Sequence, residues 1–320
     1  MSRSNKILSL TASMGARGYP AIILAVICDD IDLVCHISQK GGLKCLDNEG
    51  RNALHHSISS NNVPISIKLI FLGIDINQQD ASGSTPLMEA VHGNNYRLFD
   101  YLLTSSANWK LKDKYDADAF YYACSNGNDK MINRFISLGA NVNSPRGRYL
   151  DISISNDDIT AVKKLIERGA NPEIPNCRGD NLSLSTKFLD IFRFLIEEGF
   201  DINKQYPNGD NLLIIACRYA SADVVNYIAK HNSVELDINQ YNIYGDCALY
   251  SAILSGSVEC TQILVENGAH IKRIQCERFL KKVKSNRSHK CIEKIGEIVS
   301  KKRRDEEQNT VEYNNCYFSL

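Results

Sequence analysis

The feature that most constrains this chain is a short segment that returns at a fixed interval. One copy, "LGIDINQQDASGSTPLMEAV", begins at Leu72. A glycine marks the same phase of successive copies, at Gly73, Gly139, Gly169, Gly199 and Gly268. The 195 residues from the first of these glycines to the last divide into six repeats of 32.5 residues each. Such a period predicts a stack of supersecondary units, not a globule around one central core.

Within each repeat the residues predict a turn followed by two helices. In "GSTPLMEAVHGNN", Thr85 can accept a hydrogen bond from a free helix amide, and Pro86 falls at the first helical position. The glycine that ends the second helix is expected to adopt a left-handed backbone conformation at the C-cap. A small residue closes each motif so that neighbouring first helices can approach closely, at Ser57, Ala90, Ala123, Ala216 and Ala252.

This pattern resembles the ankyrin repeat family, whose repeats carry T-P-L-H-x-A at the first helix and G-A-x-x-N after the second. "TPLMEA", at 85–90, is the best copy, and related segments lie in register at 52–57, 118–123, 211–216 and 247–252. The resemblance covers residues 15–272, or about eight repeats. It implies an all-α, elongated and curved solenoid of helix-turn-helix units with β-hairpin loops.

The chain is therefore predicted to have four parts. Residues 1–14 form an N-terminal extension, 15–272 the repeat array, 273–304 two basic C-terminal capping helices with a narrow apolar seam that includes Ile292, and 305–320 a disordered tail. Glycine spacing indicates that repeats five and six are shortened and that repeat seven has three extra residues around "KHNSVELD". Lost helix length means lost burial, so residues 144–203 are predicted to be the softest part of the array, unless strong neighbours tolerate the change.

Composition favours a cytoplasmic protein without a membrane span. The formal net charge is zero, and no apolar run approaches the roughly 18 residues that a spanning helix needs. The 11 cysteines are odd in number, and most lie within helical apolar patterns. Free buried thiols in a reducing compartment are the expected state.

The residues give little support to an enzyme, and no cofactor or metal is predicted. A phosphate-binding glycine loop, a metal-spaced His/Cys set and a nucleophile elbow are all missing from the sequence. His55 occupies the T-P-L-H position, where the resemblance implies that the imidazole hydrogen-bonds the turn. Trp109 stands at a position usually held by valine, so packing is favoured over a role as a binding anchor.

The resemblance implies that a protein partner binds in a concave groove lined by hairpin tips and the exposed ends of the first helices. Carried over position by position, the predicted contact residues are Arg51, His92, Tyr115, Asn126, Arg148, Arg178, Asp210, Arg218, Tyr219, Tyr244 and Asp246. Arginine and tyrosine dominate interface hot spots, so Arg148, Arg178, Arg218, Tyr219 and Tyr244 are expected at the energetic centre. The alternative is that they are ordinary solvated loop residues.

The basic C-terminal region leaves other functions open. Residues 272–304 carry 13 Lys or Arg against three Glu and end in Lys301, Lys302, Arg303 and Arg304. This patch could contact nucleic acid or an anionic membrane or act as a nuclear import signal, or it could simply keep a cap helix soluble. The tail that follows is similar to the secretion signals of bacterial type IV effectors, among which ankyrin arrays are common. The main interpretation is a monomeric binding scaffold with a protein partner of unknown identity. The alternatives are a secreted effector in the host cytosol or nucleus, a substrate adaptor or an enzyme inhibitor.

Overall fold

The computed structural model describes residues 19–143, 148–176, 179–180, 185–230, 237–270, 290–298 and 300–301. It divides into two compact units, Met1–Asn171 and Pro172–Leu320. We call these the N-terminal and C-terminal units. Both are built from pairs of short helices, and we refer to the members of a pair as the first and second helix of a repeat.

Over residues 19–143 and 148–171, the N-terminal unit shows five such pairs. Its first helices are α1 (Ala21–Ile27), α3 (Ala53–Ser59), α5 (Pro86–His92), α7 (Ala119–Ser125) and α9 (Arg148–Ser155). Its second helices are α2 (Ile31–Gln39), α4 (Val63–Phe71), α6 (Tyr96–Thr104), α8 (Asp129–Ser137) and α10 (Ile159–Glu167), and a short 3-10 turn (Gly42–Lys44) follows α2. Each first helix packs against the next first helix along the chain.

The C-terminal unit is also built from paired helices. It has the two-residue strands β1 (Pro175–Asn176) and β2 (Gly179–Asp180), then α11 (Leu189–Glu197), α12 (Leu212–Arg218), α13 (Ala222–Lys230), α14 (Ala248–Ser255) and α15 (Val258–Glu266). The strands pair antiparallel, with Pro175 opposite Asp180, as a minimal hairpin. The first helices α12 and α14 pack together, and the second helices α11, α13 and α15 pack in sequence.

The helix ends follow the predicted chemistry. The Oγ1 atom of Thr85 accepts a hydrogen bond from the Met88 amide at 3.3 Å, and Pro86 is the first residue of α5. The five in-phase glycines all have positive φ, between +82° at Gly73 and +94° at Gly199. This confirms the expected left-handed C-caps, a conformation that costs other residues roughly 1–2 kcal/mol.

The core of the N-terminal unit lies between successive helix pairs. Ala90 and Ala123, predicted as small contact residues, are fully buried. Phe135 is also fully buried, and its ring centroid lies 5.1 Å from that of Phe99 and 5.5 Å from that of Phe120. Since Phe99, Phe120 and Phe135 belong to three different helices, this aromatic cluster couples adjacent repeats.

Several predicted departures from the pattern lie outside the residues that the structure describes. These are the shortened hairpin of repeat five at 144–147, most of the first helix of repeat six at 181–184, the insertion in repeat seven at 231–236, and the segments 1–14 and 305–320. The division between the two units falls after Asn171. The softness of residues 144–203 stays a prediction, which hydrogen exchange along the chain can test.

The predicted capping region is described over 290–298 and 300–301, which are helical. Of the predicted seam residues in this helix, Ile295 and Ile298 are half-buried, Val299 lies outside the described residues, and only the assignment of Ile292 is wrong. Cys291 is fully buried, while Ile292 is 36% exposed. Cys291 lies four and seven residues before Ile295 and Ile298, both half-buried, so these three share one face of the helix.

Candidate functional site

The hairpins that precede α3, α5, α7 and α14 are each closed by one side-chain oxygen. Oδ1 of Asp47 accepts hydrogen bonds from the amides of Glu49 and Arg51, both at 2.9 Å. The same arrangement recurs at Asp80, Asp113 and Asn242. These residues are not among those predicted from the sequence, although "DNEG", "DASG" and "NIYG" carry the signal of an Asx turn.

Neighbouring hairpins are joined by backbone hydrogen bonds. The Ala81 amide donates to the Glu49 carbonyl oxygen at 2.7 Å, and the Lys114 amide donates to Ser82 at 2.9 Å. In the C-terminal unit, Ile243 donates to Asn208 at 3.0 Å. The hairpin tips are thus held on a fixed frame. We call these tips, together with the C-terminal ends of the first helices, the tip surface.

In the N-terminal unit the tip surface contains a cavity of about 200 Å³. Its lining includes three carboxylates, of Asp80, Glu89 and Asp113, and three rings, of His92, Tyr115 and Tyr122. The Tyr122 hydroxyl donates to Asp113, and burial together with this bond raises the pKa of Tyr122. Of the predicted contact residues, His92 and Tyr115 are exposed here, Tyr115 by 68%. Asn126 is exposed too, and its Nδ2 donates to the Val91 carbonyl oxygen at 3.0 Å.

The two predicted arginines of this unit are engaged within the fold. Arg51 pairs with Asp47 and Glu49, each at 3.1 Å. Arg148 donates to the carbonyl oxygen of Tyr115 at 3.0 Å and to the carboxylate of Asp116 at 2.9 Å. Arg148 therefore holds the preceding hairpin. The prediction of Arg148 as a central contact residue did not include this structural role.

In the C-terminal unit three predicted residues are exposed. The side chain of Arg218 is 50% exposed, and Tyr219 and Tyr244 are 40% and 56% exposed. Asp246, which was also predicted, is half-buried, and its amide donates to Asn242 Oδ1 at 2.8 Å.

Asp210, predicted as a contact residue, lies beneath this surface and is only 2% exposed. Its carboxylate accepts hydrogen bonds from Arg218 at 2.9 Å, Asn208 at 2.8 Å and Asn242 at 2.7 Å. Burial by itself raises the pKa of Asp210, but these hydrogen bonds outweigh it, so that the pKa is lowered. Asp210 thus orients Arg218 and the hairpin of Tyr244 from below.

The profile of the family described as ankyrin repeats, in 3 copies, matches residues 22–113, 87–176 and 182–275. This chain belongs to the ankyrin repeat family. The resemblance seen in its motifs and the all-α repeat fold are thereby confirmed.

Three relatives match parts of these ankyrin repeats. An ankyrin repeat protein of Rickettsia bellii is 32% identical over 118 residues, which is 36% of this chain and 65% of that protein. One from Acanthamoeba polyphaga mimivirus is 37% identical over 73 residues, or 22% of this chain and 10% of that protein. A Saccharomyces uvarum protein named as a palmitoyltransferase is 28% identical over 102 residues, or 30% of this chain and 14% of that protein. The chain thus spans less than two thirds of each relative.

Two other predicted roles concern packing within the ankyrin repeats. Nδ1 of His55 accepts from the Asn52 amide at 3.2 Å, and its Nε2 lies 3.3 Å from the Ser84 carbonyl oxygen, so the imidazole joins two successive turns. Trp109 is half-buried, with its ring centroid 5.7 Å from that of Phe135. Both side chains serve the frame.

The remaining predicted positions are less informative. Arg178, Lys302, Arg303 and Arg304 lie outside the described residues, and Lys301 is exposed.

Where the structure describes the chain, no group of three or more His, Cys, Asp or Glu residues could hold a metal ion. Among the same residues, no helix is both long and apolar enough to cross a membrane. Cys124, Cys217, Cys247 and Cys260 are buried free thiols whose pKa is raised by burial.

Proposed function

We propose that this chain is a non-enzymatic scaffold that binds a partner protein through its tip surface. Ankyrin repeats generally mediate protein–protein interaction, and the family is typically non-enzymatic. One observation carries the proposal to this chain: Arg218, Tyr219 and Tyr244 are exposed together on a frame that the buried Asp210 organises. The proposal includes a cytoplasmic location and a monomeric state, both of which rest on the sequence.

The physical basis is preorganisation. Arginine and tyrosine provide large contact areas and several hydrogen-bond donors. Binding usually costs side-chain entropy because such groups must be immobilised. Here Asp210 already restrains Arg218, and the Asn242 side chain already fixes the Tyr244 amide at 2.9 Å. A partner therefore meets contact residues that need little further ordering.

The test is affinity purification with the full chain, followed by titration of each purified partner. The Arg218→Ala, Tyr219→Ala double variant should weaken partner binding by at least about tenfold. The matched control is Arg193→Ala, Glu197→Ala on the second helix α11, where the side chains are 50% and 62% exposed. The control should bind like wild type. Equal affinity of every partner for the wild type and the tip-surface variant would refute the proposal.

A further inference from the structure

The tip surface of the C-terminal unit combines large exposed apolar groups with two cations. Ile243 is 70% exposed, Tyr244 56% and Leu254 43%. The Ile243 backbone is fixed through its hydrogen bond to Asn208, so this apolar tip is held in place. Contiguous exposed apolar groups rimmed by polar residues are a mark of interaction sites.

Leu254 belongs to the same surface because the ends of α12 and α14 are tied together. Oγ of Ser255, at the end of α14, donates to the carbonyl oxygen of Cys217 at 2.9 Å. Leu254 precedes Ser255, and Arg218 follows Cys217. These two exposed side chains therefore stand at adjoining helix ends.

Two cations accompany the apolar groups. Lys187 is exposed, and its Nζ lies 4.3 Å from the centroid of the Tyr219 ring. Within the described part of the chain, Lys187 has no ion-pair partner. Arg218 uses one terminal nitrogen for Asp210, and a guanidinium has five N–H donors, so donors remain for a second carboxylate.

The two acidic residues predicted for this surface are less accessible than its cations. Asp210 is buried, and Asp246 is half-buried on the C-terminal side of the hairpin. The charged group that lies over the Tyr219 ring is the ammonium of Lys187. A bound segment gains most if it brings a carboxylate to Lys187 and Arg218 and apolar side chains to Ile243, Tyr244 and Leu254.

We propose that this surface binds an extended segment of the partner protein that carries an Asp or Glu flanked by aliphatic or aromatic residues. The inference rests on the proposed function and specifies the chemistry of the partner. A protein segment is favoured over nucleic acid because Ile243 and Leu254 are exposed apolar side chains, and a phosphate backbone offers them nothing to bury.

The experiment selects binders to the full chain from a displayed library of random short peptides. Enriched peptides are then labelled with fluorescein and titrated by fluorescence anisotropy. We expect an acidic residue beside apolar ones, and about tenfold weaker binding when that acidic residue is replaced by lysine. Lys187→Glu should weaken the same peptides several-fold, and Ile243→Ser should do so without altering the preference for acid. Arg193→Glu, which alters an exposed arginine on α11, is the control and should change nothing.

The outcomes separate this inference from the proposed function. Selected peptides that depend on Arg218 and Tyr219 but carry no acid, or that tolerate Lys187→Glu, would overturn the inference and leave the scaffold function standing. Selected peptides that are all insensitive to Arg218→Ala, Tyr219→Ala would count against both. A single-stranded oligonucleotide that displaces the peptides, and whose own binding depends on Lys187, would overturn the protein-segment assignment in favour of nucleic acid.

Discussion

The replacement of Asp210 by asparagine probes the frame beneath the tip surface with almost no change in volume. The carboxylate accepts three side-chain hydrogen bonds and is 2% exposed. Asparagine keeps one acceptor oxygen but turns its NH2 group toward donors of Asn208, Asn242 or Arg218. At least one of these donors then loses its acceptor, and Arg218 loses a charge-assisted bond.

The magnitude follows from these contacts. A hydrogen bond to a charged group contributes about 1.5–3 kcal/mol, and a buried donor without a partner costs about 1–3 kcal/mol. The pairing with Arg218 is discounted because the guanidinium is half exposed to solvent. We therefore expect Asp210→Asn to lower the free energy of unfolding by about 2 kcal/mol.

Urea unfolding followed by circular dichroism measures this change, and hydrogen exchange localises it to the amides of Tyr244 and Asp246. The matched control is Asp237→Asn. Asp237 is exposed, and its Oδ1 accepts only from the Asn239 amide at 2.9 Å among the bonds described for it. Asparagine can keep that bond, so the control should stay within about 0.5 kcal/mol of wild type.

The same variant has a defined dependence on pH. Since the pKa of Asp210 is lowered in the folded state, its contribution is fully present above the ordinary value of 3.8 and is lost as the pH falls through the folded value. The gap in stability between wild type and Asp210→Asn should therefore narrow in acid. If Asp210→Asn is as stable as Asp237→Asn is at neutral pH, the buried carboxylate does not hold this surface.

Three further predictions concern the frame. Phe135→Ala should lower the free energy of unfolding in urea by about 3–5 kcal/mol, because the Phe135 ring is fully buried. The control Phe71→Ala should lower it little, because Phe71 is 78% exposed. Equal losses of stability would contradict the assigned core. Gly73→Ala should lower the free energy of unfolding by about 1 kcal/mol, because of the positive φ at this position alone. Gly83→Ala should lower it further, since a Cβ there would lie 2.8 Å from a neighbouring backbone atom. Similar unfolding midpoints for the two variants would refute this reasoning. Burial lowers the pKa of His55 below its ordinary value of 6.5, although the hydrogen bond to Ser84 and the charge of Asp80 act in the opposite direction. The free energy of unfolding should therefore decrease as the pH drops through 6.5. In unfolding experiments across this pH range, His55→Gln should reduce that dependence on pH.

The sequence predicted the exposure of some contact residues but not of others. Arg218, Tyr219 and Tyr244 occupy positions that an ankyrin repeat is expected to expose, and the structure leaves them exposed. Arg148 occupies an equivalent position, yet its side chain is only 27% exposed and bonds to Asp116 and Tyr115 of the preceding repeat. Asp210 is predicted at such a position too, and it is buried.

The sequence alone determined the repeat, its helix pairs and the ends of those helices. The left-handed glycines, the cap at Thr85 and the buried Ala90 each depend on backbone conformation and periodicity within one or two repeats, which residue identity encodes directly. Only the tertiary structure decided which polar side chains form hydrogen bonds and ion pairs between repeats and which stay available to a partner. Arg148 and Asp116 are 32 residues apart in the chain, as are Asp210 and Asn242, and such pairs form only after stacking fixes one repeat against the next.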